Sequence, residues 1–419
     1  MKYVPLFLFC LVTLLFCQCK KQKESVLISD LNGFVLQEEV EGYKRPCSQN
    51  INCAPDEYTT RKTIRVNLHF IDSPEQNATW PLAEGREYLK KVIANANKRL
   101  GKNQKMFLPV GNDTPVLDPG FRYKIVGVEE GDDGFYYHID SLHYFFINKG
   151  KNRNNYSRDV IKKYAVAADS ILNIFVISHP QDSLSSKTYK AHGAGVALGT
   201  SLKITGLYSR RDDPPWSWGT LLNHEIGHVL GLAHAWGSDG CDDTPVHANC
   251  WDRHAKRGST GGPCGEGYSN NVMDYNNQQM AYTPCQLGKI HKSFHLMNSK
   301  TRGLIYDAWC DLDTTETIMI DGKVEWLCAR DINKNIVIAK GGELHLHCRL
   351  GMASGSRIKV SEGGQLHIHS HARINNACGE TWEGIELADI KNVAKMLFVY
   401  GQGRITEVKR QLADKNPQL

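Results

Sequence analysis

An excess of one charge is what this 419-residue chain most clearly lacks: 50 Lys and Arg offset 45 Asp and Glu, leaving a formal +5. So small and dispersed an imbalance argues against nucleic acid or a membrane surface as partner. A long apolar run is also missing near the start, where Val4–Phe16 falls short of the roughly 20 residues a spanning helix needs. The length exceeds one ordinary domain, so two folded units plus extras are expected. Cysteine, by contrast, is plentiful. Ten lie downstream of Cys19, at 47, 53, 241, 250, 264, 285, 310, 328, 348 and 378. An even set of this kind suits disulfides in an exported chain.

The N-terminal stretch, with Lys2, the apolar run and Cys17-Gln18-Cys19 before Lys20 and Lys21, has the form of an export signal. It resembles a bacterial lipoprotein signal with Cys19, in preference to Cys17, lipidated, which implies a cell-surface or outer-membrane lipoprotein. Phe16 and Gln18 depart from the small residue expected before such a cysteine. An ordinary signal peptide with a secreted product is the alternative. Residues 1–19 are thus expected to be signal and 20–60 a polar tether or short propeptide. Within the tether, a Cys47–Cys53 disulfide is favoured over Cys47 as a zymogen thiolate.

Regular structure begins at Thr63–Ile71, where Ile64, Val66, Leu68 and Phe70 alternate with Arg65, Asn67 and His69, the pattern of a half-buried strand. Pro81–Leu100 has helical spacing, and Arg122–Val128 and Leu172–Ser178 read as further strands. Strands separated by helices indicate an α/β layer. Ser217–Gly231 and Gln286–Met297 are predicted helices, and the intervening Gly-, Asp- and Cys-rich stretch is predicted irregular. Composition shifts near Tyr306, giving expected domains of 61–305 and 306–419. In the second, the segment from Ile338 to His347 recurs 22 residues on, from Val360 to His369. Short alternating strands after paired glycines predict rungs of an all-β parallel β-solenoid, with Trp382–Glu386 opening a third.

The decisive stretch is His224-Glu225-Ile226-Gly227-His228-Val229-Leu230-Gly231-Leu232-Ala233-His234. Residues four apart share a helix face, so His224 and His228 can offer imidazoles to one ion. Gly231 lets the helix stop and the chain turn back, which brings in His234. Three neutral imidazoles leave one position of a zinc ion open, as in catalytic sites. Glu225 sits beside the first ligand as a general base for water acidified by the metal.

The full spacing is the metzincin signature, and Met273 in Asn271-Val272-Met273-Asp274-Tyr275 resembles that group's Met-turn. Together with Cys241-Asp242-Asp243-Thr244-Pro245 and Thr283-Pro284-Cys285-Gln286, these motifs resemble the pappalysin family of zinc endopeptidases. The resemblance implies an α/β metzincin domain with an active-site cleft and peptide or protein substrates. It also implies Tyr275 near the metal, substrate extended beside a strand in Gly193–Leu198, and structural Ca2+ in the lower part, for which Asp242 and Asp243 are candidates. Gln278 and Gln279 stand where family members carry a cysteine.

Other signals carry less. His345, His347, His367, His369 and His371 share one face of the solenoid and are expected to form a solvent-facing ladder in preference to a second metal site, since no carboxylate or thiolate converges on them. His291 and His295 are expected on a helix surface. Asn77-Ala78-Thr79 and Asn155-Tyr156-Ser157 match glycosylation acceptors, a reading that a bacterial lipoprotein signal disfavours. A surface binding or adhesion lipoprotein with a vestigial protease domain is the reading from another class, and a zinc hydrolase of non-peptide substrates is a third. Against the adhesion reading stands the complete hydrolytic set, and no catalytic constellation is left over for the solenoid.

Overall fold

The computed structural model describes residues 24–32, 34, 36–37, 53–75, 80, 82–148, 151–185, 187, 193–247, 267–275 and 278–409. The export signal with Cys19, together with Cys47 and Asn77, lies outside them. Among the described residues, no helix is long and apolar enough to cross a membrane.

The first layer is a six-stranded sheet. Lys62–Asp72 pairs in parallel with Phe121–Ile125 along its first half and with Phe135–Ile139 along its second. Its other side pairs with Leu172–Ile177, which pairs with Ser201–Thr205. Ala194–Leu198 closes the sheet as the one antiparallel strand, on the edge. Leu172–Ile177 is buried throughout, as a run apolar on both faces requires. Lys62–Asp72 is not half-buried as its alternation predicts. Asn67 and His69 are fully buried too, because they bond to each other (3.2 Å), and His69 also bonds to Asn173 (2.9 Å) and His138 (3.0 Å). A buried polar residue is tolerated where such partners satisfy it.

Helix Leu82–Leu100 buries Leu89, Val92, Ile93, Ala96 and Leu100 on one stripe and packs against helix Gly219–Val229. A third long helix, Pro284–His295, starts with a capping box in which Thr283 and Gln286 satisfy each other's backbone N–H groups. His291 and His295 are not on its surface. Both are buried, with His291 Nε2 donating to Pro119 O at 2.7 Å.

The second layer stack is a parallel β-solenoid of four rungs and three faces. One face stacks Thr317–Ile320, Asn335–Ile338, Arg357–Val360 and Gly384–Leu387. The next stacks Lys323–Trp326, Glu343–Leu346, Gln365–Ile368 and Leu397–Tyr400. The third stacks Arg330–Ile332, Arg349–Met352, Arg373–Asn376 and Arg404–Ile405. Ile336, Ile338, Leu344, Ile358, Val360, Leu366 and Ile368 point inward and are fully buried. Part of the expected tether belongs here instead. Val26–Ile28 pairs antiparallel with Gly384–Leu387, and Leu36–Gln37 pairs with Leu397–Tyr400. A solenoid end exposes unpaired N–H and C=O groups, and these short strands satisfy part of that edge.

The solenoid's third face leans on the α/β layer. Asp331 is fully buried and contacts Arg302 and Arg349 at 2.7 Å, with Lys62 and His295 at 3.9 Å. Cys53 pairs with Cys328, which excludes the expected Cys47–Cys53 bridge; Cys310 pairs with Cys378 and Cys241 with Cys285. Both of the first two bridges bring distant segments to the junction. Bridges of this kind form in oxidising compartments.

Candidate active site

Helix Gly219–Val229 presents His224 and His228 one turn apart toward the cleft. It ends where Leu230 leaves helical geometry and Gly231 takes φ +93°, a conformation open to glycine at little cost. The chain reverses there, and His234 returns to face the same point. The result is a tight cluster. His228 Nε2 lies 3.2 Å from His224 Nε2 and 3.0 Å from His234 Nε2. Imidazole nitrogens ligating one tetrahedral zinc at about 2.0–2.1 Å stand roughly 3.4 Å apart, so the cluster has the dimensions of a three-histidine metal site.

The proton positions suit ligation as well. His224 Nδ1 donates to Val272 O at 2.7 Å and His228 Nδ1 to Leu232 O at 2.8 Å. A carbonyl only accepts, so each Nε2 keeps its lone pair for the cluster. Burial holds the rings neutral, pushing His224 down to about 3 and His234 to about 4, with His228 also lowered. His234 stacks on Trp236 at 3.9 Å.

Met273 lies beneath the helix, fully buried. A Cβ on Gly227 would sit 2.5 Å from its sulfur, so glycine at 227 and methionine at 273 fit as a pair. The turn is braced from within. Asn271 Oδ1 accepts from Met273 N (2.8 Å), and buried Asp274 accepts from Ser269 and from His247 (3.0 Å). Gln279, at the place where the resemblance leads one to expect a cysteine nearby, donates to Asp274 O at 2.8 Å and to Val272 O, the acceptor of His224 Nδ1, at 3.4 Å. An amide brace thus supports the turn.

Glu225 faces the edge strand. A Cβ on Gly195 would fall 2.6 Å from its Oε1, so this glycine is what lets the strand run close above the carboxyl. Nothing in the sequence marked Gly195 out. Burial lifts Glu225 to about 8, and a dication beside it counters that shift. Tyr275 is half exposed at the rim, its ring 5.6 Å from His224 and 5.2 Å from His234; burial first, and then the Glu225 charge, raise its phenol. The cleft between helix and edge strand is lined by Gly195, Val196, Ala197, the three histidines, Glu225, Tyr275, Tyr156 and Lys300. Tyr156 comes from the stretch 129–157 that no sequence pattern placed.

Asp242 and Asp243 lie outside this cluster. Asp242 is exposed, while Asp243 accepts from Thr283 Oγ1 (2.7 Å) and Cys285 N (3.0 Å). It is therefore committed to the start of helix Pro284–His295, as acidic groups at a helix N-terminus commonly are.

Residues 155–295 match the family model described as Peptidase_M43, pregnancy-associated plasma protein-A. No curated protein matches the chain. Among solved structures, it is similar to mature mirolysin of Tannerella forsythia in complex with a cleaved peptide, at 19% identity and TM-score 0.39, over 60% of this chain and 97% of that one. It is also similar to mirolysin in complex with a compound, at 18% and 0.40, over 60% and 98%. A promirolysin mutant of Tannerella forsythia is similar at 17% and 0.40, over 61% and 86%.

Proposed function

Starting from a chain that belongs, through residues 155–295, to the pappalysin (Peptidase_M43) family of metzincin zinc metalloendopeptidases, we propose which residues carry the hydrolysis. His224, His228 and His234 hold the zinc, with Met273 as packing beneath them. When bound, the ion acidifies a water and polarises the scissile carbonyl. Glu225 accepts the proton of the attacking water and returns it to the leaving amine. Tyr275 steadies the oxyanion from the rim of the cleft. Substrate lies extended along Ala194–Leu198, whose outer edge, unpaired among the described residues, offers backbone groups to any peptide irrespective of side chains. The observation that carries this reading is the convergence of three Nε2 atoms at 3.0 and 3.2 Å, with Glu225 beside them under the edge strand at Gly195.

Export with a lipid anchor at Cys19 completes the reading at the level of the cell, supported by the signal-like N-terminus and by the disulfides. The working division is a peptidase over 61–305 and a solenoid over 306–419 that serves stability or docking of larger targets. Asp242 and Asp243 remain the candidates for a calcium loop, with each Asp243 oxygen also accepting one hydrogen bond. Profiling the purified chain against a peptide library, with and without a zinc chelator, tests the reading. Cleavage of internal peptide bonds that stops on chelation and returns with zinc is expected. Chelator-insensitive cleavage, or none by a zinc-loaded protein, overturns it.

A further inference from the structure

The outward side of the second solenoid face carries a histidine cluster for which peptide hydrolysis has no use. His345 lies on strand Glu343–Leu346 and His347 directly follows its end, the two rings nearly parallel with centroids 6.4 Å apart. His367 and His369 hold the matching places one rung on, since His345 registers with His367. These rings are not the solvent-facing ladder that their alternation predicts: His347 and His367 are buried, at 6% and 8% exposure. Ring stacking accounts for the burial. His345 lies over His367 at 4.0 Å and His347 over His369 at 4.1 Å, and Phe398 and Tyr400 continue the two columns at 4.5 and 4.6 Å.

Stacking alone does not bring ring nitrogens together, yet here they meet across the columns. His345 Nδ1 and His369 Nε2 are 3.3 Å apart, the separation of two nitrogens on one tetrahedral ion, roughly 3.4 Å. One nitrogen of His347 joins them, all three within 4.8 Å of one another. Carboxylates converge as well, contrary to the sequence expectation. Glu343 Oε2 lies 3.6 Å from His345 Nε2, and Glu325 occupies the register position beside His345 on the preceding rung. At 3.6 Å the Glu343 approach is a charge contact rather than a hydrogen bond; a carboxylate that closes onto the outer nitrogen of a histidine holds the inner nitrogen lone pair toward a metal.

We propose that His345, His347 and His369 form a second metal site for a divalent transition ion of the imidazole-preferring kind, zinc foremost, with Glu343 as the positioning carboxylate. His345 on strand Glu343–Leu346, His347 directly after its end, and His369 directly after the end of the neighbouring strand Gln365–Ile368 form a three-point grip where the two strands finish side by side. The ion would clamp the second and third rungs together, 30 residues or more beyond the peptidase domain in sequence.

The test is metal content of the full chain after dialysis against zinc buffered into the micromolar range. Two ions per chain are expected. His234→Ala should retain one, and His369→Phe, which keeps a flat ring to stack on Tyr400, should also retain one while cleaving short peptides normally. Zinc should also raise the melting temperature of the His234→Ala chain and leave that of a His234→Ala/His369→Phe chain unchanged. A single ion on the wild-type chain, or two on folded His369→Phe, overturns the proposal. Because each variant removes a different ion, failure here is distinguishable from failure of the catalytic assignment.

Discussion

The residues proposed for the active site fall into two kinds. Ligands and base announce themselves by type and spacing; the residues that make room for them do not. His224, Glu225, His228 and His234 were legible because an i, i+4 pair, an adjacent acid and a glycine-released third histidine have one economical geometry. Gly195 and Gly227 were not read as functional, since their contribution is the absence of a side chain against residues distant in sequence. Gly227→Ala tests that contribution. Its Cβ would overlap the Met273 sulfur at 2.5 Å in a fully buried place, and overpacking of this kind costs about 1–3 kcal/mol. Calorimetry should show a lower melting temperature, and Gly227→Ala/Met273→Ala should recover part of it. An unchanged melting temperature would mean the helix and the turn are not closely fitted.

At the scale of elements, the edge strand matters most. Ala194–Leu198 runs antiparallel to Ser201–Thr205 with its other side unpaired among the described residues, directly over Glu225. Amide hydrogen exchange within 194–198 should slow when a peptide-like inhibitor binds, while the central strand Leu172–Ile177 stays as protected as before. Unaltered exchange along the edge would place the substrate elsewhere. The strands and helices of this layer were readable because buried faces impose periods of two and 3.6, and the solenoid because it repeats. The two strands from the N-terminal segment were missed. Val26–Ile28 is only three residues long, and what makes it a strand is a partner more than 350 positions away at Ile385–Leu387. The same blindness to distance put His291 and His295 on a surface: their helix faces a partner that periodicity cannot name.

The whole molecule is held by a junction as well as by two cores. Asp331 of the solenoid gathers Arg302 and Lys62 from the peptidase side and Arg349 from its own. These cations hold its carboxyl well below the usual carboxylate range in spite of the opposing effect of burial. The stability they lend is therefore fully present above the unfolded value near 3.8 and is lost as pH falls below it toward the folded value. Asp331→Asn should cost about 3–5 kcal/mol at neutral pH by stranding buried cations, and its stability should fall less than that of the wild type on acidification from pH 4 to pH 2. Equal acid profiles would show that the junction carboxylate is not ionised in the fold. For the same reason, a chain ended near Ile305 should lose stability through exposed Lys62 and Arg302 without losing any catalytic group. Hydrolysis by this chain stands on Glu225, and the measurement that tests its role most directly is kcat for full-length Glu225→Gln with its zinc content determined in parallel. Zinc is predicted to stay bound while kcat falls by about two to four orders of magnitude; near-normal turnover by the zinc-loaded variant would contradict the mechanism.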